Sequence, residues 1–199
     1  DVTYTPGSIF KVLTAAAAIE NIPDIGTRSF QCGGTNILGG QKIVCEGVHG
    51  TINFQNGLAY SCNNVFGEIA AELGGKTLQK YAEKAGLTGS LSCDGYHTAA
   101  GRVDLRGAGD GDVAWAGIGQ YTDQVSAYAF RRVMGVIAGG GEAAEPYLMA
   151  SIQKGKKTTY TASRTSTGRV LEADTAKTLA SMMRYDVEQV YGAWQFGSL

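Results

Sequence analysis

Tyr4-Thr5-Pro6-Gly7-Ser8-Ile9-Phe10-Lys11-Val12-Leu13-Thr14-Ala15-Ala16-Ala17-Ala18-Ile19-Glu20 decides how this chain folds. Pro6-Gly7 supplies a turn, and serine is a residue type that caps a helix by accepting a hydrogen bond from the backbone. The run from Ile9 to Glu20 consists of strong helix formers and is apolar almost all round. A helix without a polar face lies buried at the centre of a fold. It should end near Asn21-Ile22-Pro23, because proline excludes the helical conformation from the residue before it.

Ser8 and Lys11 are three apart at the start of that helix, so their side chains share one face about one turn apart. A serine hydroxyl becomes a useful nucleophile when a base within about 2.6–3.2 Å takes its proton, and lysine can be that base only when it is neutral. Phe10, Val12 and the alanine run disfavour the ammonium form by desolvation. Free N–H groups at the helix start also point at the place where an acyl oxyanion would develop. Alone, a serine and lysine at this spacing read more readily as a helix cap followed by an exposed lysine. The position directly after Pro-Gly, and Ser61-Cys62-Asn63 at a helix-to-helix bend, make the combination specific.

Away from this helix the pattern alternates between short extended pieces and amphipathic helices. Ser29-Phe30-Gln31 and Lys42-Ile43-Val44, separated by Gly33-Gly34 and Gly39-Gly40, suggest a small hairpin or irregular loop. Phe54 to Tyr60 and Asn64 to Leu73 read as helices, the latter stopped by Gly74-Gly75, and Leu78 to Ala85 as another. The stretch from Thr88 to Gly111 is polar, glycine-rich and unperiodic, which predicts a long surface loop. One helical turn at Val113 to Gly117 and a helix over Val125 to Ala138 follow. Then come a β-hairpin over Leu148 to Thr161 turning at Lys154-Gly155-Lys156, and a final helix from Ala173 to about Val190. Trp194 to Leu199 has the look of an approach to a strand.

A chain of 199 residues with 44% apolar residues can build one core. A net charge of −1 with 17 Lys plus Arg offers no basic field for nucleic acid or an anionic membrane. The longest apolar run, Val12 to Ile19, is far short of the roughly 20 residues that span a bilayer. Neither a basic leader nor an apolar signal core precedes Pro6, which suggests that the sequence begins inside a larger protein.

Cys32, Cys45, Cys62 and Cys93 contain no C-x-x-C pair, and His49 and His97 are well apart, so this spacing does not suggest a zinc site. Cys32 and Cys45 are open to two readings, a disulfide in an extracytoplasmic setting or free half-buried thiols. Cys62 reads as a small buried filler. Gly107-Ala108-Gly109-Asp110-Gly111 lacks the preceding strand and the pattern of a phosphate loop, and no cofactor is expected.

Taken together, Tyr4-Thr5-Pro6-Gly7-Ser8-Ile9-Phe10-Lys11 and Ser61-Cys62-Asn63-Asn64-Val65-Phe66 resemble the first two motifs of the penicillin-binding proteins. These are serine D,D-transpeptidases of bacterial cell-wall synthesis. His49-Gly50, Gly117-Ile118-Gly119-Gln120 and the glycine-ended stretch Val125 to Gly141 extend the similarity over nearly the whole chain. The resemblance implies Ser8 as nucleophile, Lys11 as general base, Ser61 as proton relay to the leaving group and Asn63 as a holder of the substrate amide. Its substrate would be a peptidoglycan stem peptide ending in D-Ala-D-Ala, with β-lactams acylating the same serine. The setting it implies is the extracytoplasmic cell envelope, in a parent protein anchored to the membrane.

The same resemblance predicts a third motif, Lys-Thr/Ser-Gly, after the last helix, and no such string occurs here. Lys76-Thr77-Leu78 and Lys157-Thr158-Thr159 both lack the glycine. The expected architecture over residues 1–199 is therefore mostly α with small β-hairpins. It corresponds to the helical subdomain of the β-lactamase/transpeptidase-like α+β fold, lacking most of the central sheet. On this reading the chain alone is nearly inert, and its uncovered sheet-facing surface favours self-association. A β-lactam sensor domain, acylated but signalling instead of turning over, is the competing function. A helical scaffold with chance motifs is a third. A β-lactamase would need a deacylation base, and none is evident.

Overall fold

The central helix forms, but its α-helical part begins two residues later than its composition suggests. In the computed structural model, which describes residues 2–163 and 165–192, Gly7–Phe10 is a 3₁₀ turn and α1 runs Lys11–Asn21. Ser8 therefore lies inside the 3₁₀ turn, and no side-chain cap is made at either helix start. Three residues per turn stack positions i and i+3 directly over one another, which aims the Ser8 hydroxyl along the turn at Lys11. Lys11, Leu13, Thr14 and Ala15 through Ala18 are all buried. The helix stops at Ile22, whose backbone is extended ahead of Pro23 as the proline rule requires.

The segment between α1 and the next helix is more regular than its sequence suggests. Strands β1 (Thr3–Tyr4), β2 (Ser29–Cys32), β3 (Thr35–Leu38), β4 (Gln41–Val44) and β5 (Gly50–Asn53) precede α2 (Phe54–Ala59). The two extended pieces recognised in the sequence do not pair with each other. Strand β2 pairs antiparallel with β5, Phe30 opposite Ile52, and the β3–β4 hairpin is nested between them. Phe30, Ile43 and Ile52 are the inward-facing residues of this unit.

Helix α3 (Asn63–Lys84) is interrupted at Gly74, where φ is +76°, so that it behaves as the two expected helices end to end. The stretch that follows is only partly a loop. It carries the pair β6 (Ser92–Cys93) and β7 (Tyr96–His97), isolated bridges join Gly89 to Gly101 and Arg102 to Gln124, and Val103 and Leu105 are buried. Helix α4 (Asp110–Gly117), strand β8 (Val125–Ser126), helix α5 (Ala127–Ala138), the hairpin β9 (Ser151–Lys154) and β10 (Lys157–Thr161), and helix α6 (Ala173–Tyr185) complete the order. Strand β8 pairs with β1, and Ser126 caps α5 by accepting from Ala129 N. The exposed hairpin turns at Gly155, and α6 continues into a π-helical turn over Asp186–Tyr191. The expectation for Trp194 to Leu199 lies outside the described residues.

Helix α1 packs on α3 and α6, α3 packs closely on α4, and α5 lies on α6. The approach of α3 to α4 depends on Gly117, where an added Cβ would lie 2.1 Å from the Ala70 Cβ. Thr14 Oγ1 donates to Gly117 O at 2.7 Å, fixing α4 to the central helix. The residues after α4 are thereby carried to the 3₁₀ turn that holds Ser8. No described helix is long and apolar enough to cross a membrane.

Candidate active site

The bend between α2 and α3 is a Schellman closure. Cys62 N–H bonds to Gly57 O at 2.8 Å and Ser61 N–H to Leu58 O at 2.9 Å. That motif needs a left-handed residue, usually glycine, just past the helix end. Here Ser61 holds the position with φ +51°. A non-glycine residue in this region is strained, and such strain concentrates at functional sites. The next helix starts at once, with Asn63 as its first residue, so Ser61 and Asn63 are both presented at the corner.

Lys11 points its amine into that corner. Its Nζ lies 3.1 Å from Ser8 Oγ, 2.9 Å from Ser61 Oγ, 2.6 Å from Ser61 O and 2.6 Å from Asn63 Oδ1. The other three residues singled out in the sequence are thus all within reach of the Lys11 nitrogen. Two of its neighbours, Ser61 O and Asn63 Oδ1, can only accept. A neutral amine has two N–H groups for those acceptors, and its lone pair is left to accept from the Ser8 or Ser61 hydroxyl. Lys11 is 1% exposed. Burial lowers its pKa from 10.5 to about 8, against the opposing influence of Cys45, Cys62 and Glu46. Ser8, by contrast, is exposed, so a reacting carbonyl can approach it from solvent.

Both ends of the Asn63 side chain are engaged. Its oxygen accepts from Lys11, and its Nδ2 donates to Val44 O at 2.8 Å, tying the corner to the end of β4. A carboxamide has two lone pairs and two N–H groups, so one of each remains for a substrate.

Two contributors were not evident from sequence. Gly7 has φ +60°, and its N–H donates to Gly119 O at 2.8 Å, so the loop after α4 fastens the start of the 3₁₀ turn that holds Ser8. The Gly117-Ile118-Gly119-Gln120 string carried that signal without its reason. The second contributor is Cys62, which is fully buried and faces the thiols of Cys32 and Cys45. The sequence spacing kept these residues apart, whereas the β2–β5 pair and the α3 corner bring Cys32, Cys45, Cys62 and His49 together. All four cysteines are free, and Cys32 and Cys45 are not bridged.

A model of the penicillin binding protein transpeptidase domain matches residues 1–197. Stage V sporulation protein D of Bacillus subtilis (strain 168) is 33% identical over 112 residues, covering 55% of this chain and 16% of that protein. Among solved structures, the D,D-transpeptidase domain of a peptidoglycan glycosyltransferase from Eggerthella lenta superposes with a TM-score of 0.86 at 24% identity, over 94% of this chain and 49% of that one. Penicillin-binding protein A from Mycobacterium tuberculosis, in its imipenem acyl-enzyme complex, superposes with a TM-score of 0.84 at 25% identity, over 92% of this chain and 43% of that one. The chain thus spans half or less of the length of these relatives.

Proposed function

Because the chain belongs to the penicillin-binding protein transpeptidase domain family, we propose that Ser8 is the acyl-accepting nucleophile of a D,D-transpeptidase acting on peptidoglycan stem peptides. Such a substrate ends in D-Ala-D-Ala and is met outside the cytoplasm. In this reaction Ser8 Oγ bonds to the carbonyl carbon of the penultimate residue, and its proton passes to the lone pair of Lys11 Nζ. Collapse of the tetrahedral adduct breaks the amide bond. The departing D-alanine nitrogen takes a proton from the Ser61 hydroxyl, which Lys11 restores across their 2.9 Å contact. An amine of a second peptide then attacks the Ser8 ester, which forms the cross-link and returns the hydroxyl. A β-lactam follows the first half of this path, because its ring amide is the bond that opens.

One observation carries the proposal: a single buried nitrogen touches both hydroxyls, 3.1 Å from Ser8 and 2.9 Å from Ser61, while carbonyl acceptors take up its N–H groups. At a pKa of about 8, roughly a tenth of the Lys11 side chains are neutral at pH 7, against about 0.03% for an unperturbed lysine. The neutral form is the base and grows as pH rises, so the rate of labelling by a fluorescent penicillin should climb about tenfold per unit below pH 8 and level off above it. A rate independent of pH from 6 to 9 would contradict the role of Lys11. The 199 residues alone, without a Lys-Thr/Ser-Gly string, should label about 10²–10³ more slowly than the same residues in a chain that supplies one. Equal rates in the two would contradict that part of the proposal.

A further inference from the structure

Behind the catalytic corner lies a cluster that the acyl-transfer chemistry does not use. Cys32 from the end of β2, Cys45 just after β4, His49 just before β5 and Cys62 at the start of α3 place three sulfurs and one ring nitrogen within 4.8 Å of one another. The Sγ atoms of Cys45 and Cys62 are 3.7 Å apart, and His49 Nδ1 is 3.5 Å from Cys32 Sγ and 3.5 Å from Cys45 Sγ. Zn–S bonds of about 2.3 Å and Zn–N bonds of about 2.0–2.1 Å set tetrahedral edges of about 3.8 Å between sulfurs and about 3.5 Å between sulfur and nitrogen. The three edges given above match those lengths, and the other three are no longer than 4.8 Å.

The geometry points to a structural zinc site formed by Cys32, Cys45, His49 and Cys62, which clamps the Ser61–Asn63 corner to the β2–β5 unit. Three thiolates and an imidazole in a tetrahedron are the donor set and shape that select zinc. Four protein ligands close the coordination sphere, so the ion holds structure and activates no water. Loading displaces the proton of each thiol that binds, releasing up to three protons to solvent.

The surroundings suit sulfur that carries negative charge. Asn63 N–H points at Cys45 Sγ from 3.4 Å, and Asn64 Nδ2, on a side chain 1% exposed, points at Cys32 Sγ from 3.5 Å. The His49 ring is fixed by parallel stacking on Tyr60, with centroids 5.5 Å apart. Cys32 Sγ also lies 3.6 Å from Gly47 O, a partner for the protonated thiol that the metal would replace. A disulfide accounts for less of the cluster. It would require a sulfur pair to close from 3.7 Å to about 2.05 Å, and it would leave the third thiol and the imidazole without a role. Zinc uses all four.

Cys62 sits between Ser61 and Asn63, the two residues whose carbonyl oxygens receive Lys11. Holding its sulfur holds the left-handed Ser61 backbone in place, so the ion would serve as a positioning device for the catalytic corner.

The test is metal content and cobalt spectroscopy on the purified protein, kept reduced and dialysed into metal-free buffer. Elemental mass spectrometry should find about one zinc per chain. After zinc is stripped, titration with Co²⁺ should give the intense visible bands of a tetrahedral site and a sulfur-to-cobalt charge-transfer band, saturating at one equivalent. Cys32→Ser and His49→Ala should lose both signals. Asn64→Ala, which removes a donor to Cys32, should weaken zinc binding about 10–100-fold. If a ligand variant does not fold, the cobalt titration of the unaltered chain decides. Reduced, folded protein that takes up neither zinc nor tetrahedral cobalt overturns the proposal, and so does a native mass lower by two hydrogens with no metal bound.

Discussion

Replacing Lys11 with methionine should lower the rate at which Ser8 is acylated by about 10²–10⁴-fold, the range a general base supplies. Methionine keeps most of the volume at a position that is 1% exposed, so the packing of α1 survives. The amine goes, and with it the atom 3.1 Å from Ser8 Oγ. Ser61 O and Asn63 Oδ1 lose their donor, at a cost of about 1–3 kcal/mol for each group left unsatisfied. Lys11→Arg separates base chemistry from charge, because a guanidinium donates hydrogen bonds but does not deprotonate in proteins. Both variants should therefore lose acylation, as followed by intact-mass time courses, while circular dichroism reports the fold. A Lys11→Arg chain that acylates at the native rate would mean the proton goes elsewhere.

Gly119→Ala should damage fold and site together. The residue has φ +78°, and an added Cβ would lie 1.9 Å from Gly7 O and 2.8 Å from Gly7 N. No flexible side chain is involved, so the backbone of the turn that holds Ser8 must itself move. The alanine also adopts the left-handed region at a cost of order 1 kcal/mol. Because the bond from Gly7 N–H to Gly119 O is what fastens that turn, relief of the clash displaces Ser8 from Lys11. The expected result is a loss of more than about 2 kcal/mol in chemical unfolding and acylation slowed by about 10²-fold, the penalty for misplacing a reacting group by about 1 Å. A variant with native stability and native acylation would show that the Gly7–Gly119 contact does not position the nucleophile.

The parts of this fold that were legible in sequence are those governed by short-range rules. The alanine-rich helix, its end at Pro23, the break at Gly74 and the turn at Gly155 each follow from a residue whose conformational preference is decisive. Ser8, Lys11, Ser61 and Asn63 were legible because two weak patterns coincided at helix starts and a shared resemblance tied them together. What escaped depends on contacts between distant segments. Strand β2 pairs with β5 because Phe30 and Ile52 must both enter the core, and no local signal says that a second hairpin is threaded between them. Thr88 to Gly111 looks like a surface loop until Val103 and Leu105 are seen to be buried. The spacing of Cys32, Cys45, His49 and Cys62 resembles no zinc pattern because the ligands come from both sides of a hairpin and from a helix corner.

One atom, the Oγ of Ser8, carries the proposed chemistry. Incubating the protein with penicillin, digesting it and sequencing the modified peptide by tandem mass spectrometry tests that directly. The expected result is a single adduct, with the mass of the opened β-lactam, on Ser8 of the peptide that carries Thr5-Pro6-Gly7-Ser8. An adduct placed on Ser61 or on a cysteine, with Ser8 unmodified after prolonged exposure, would contradict it.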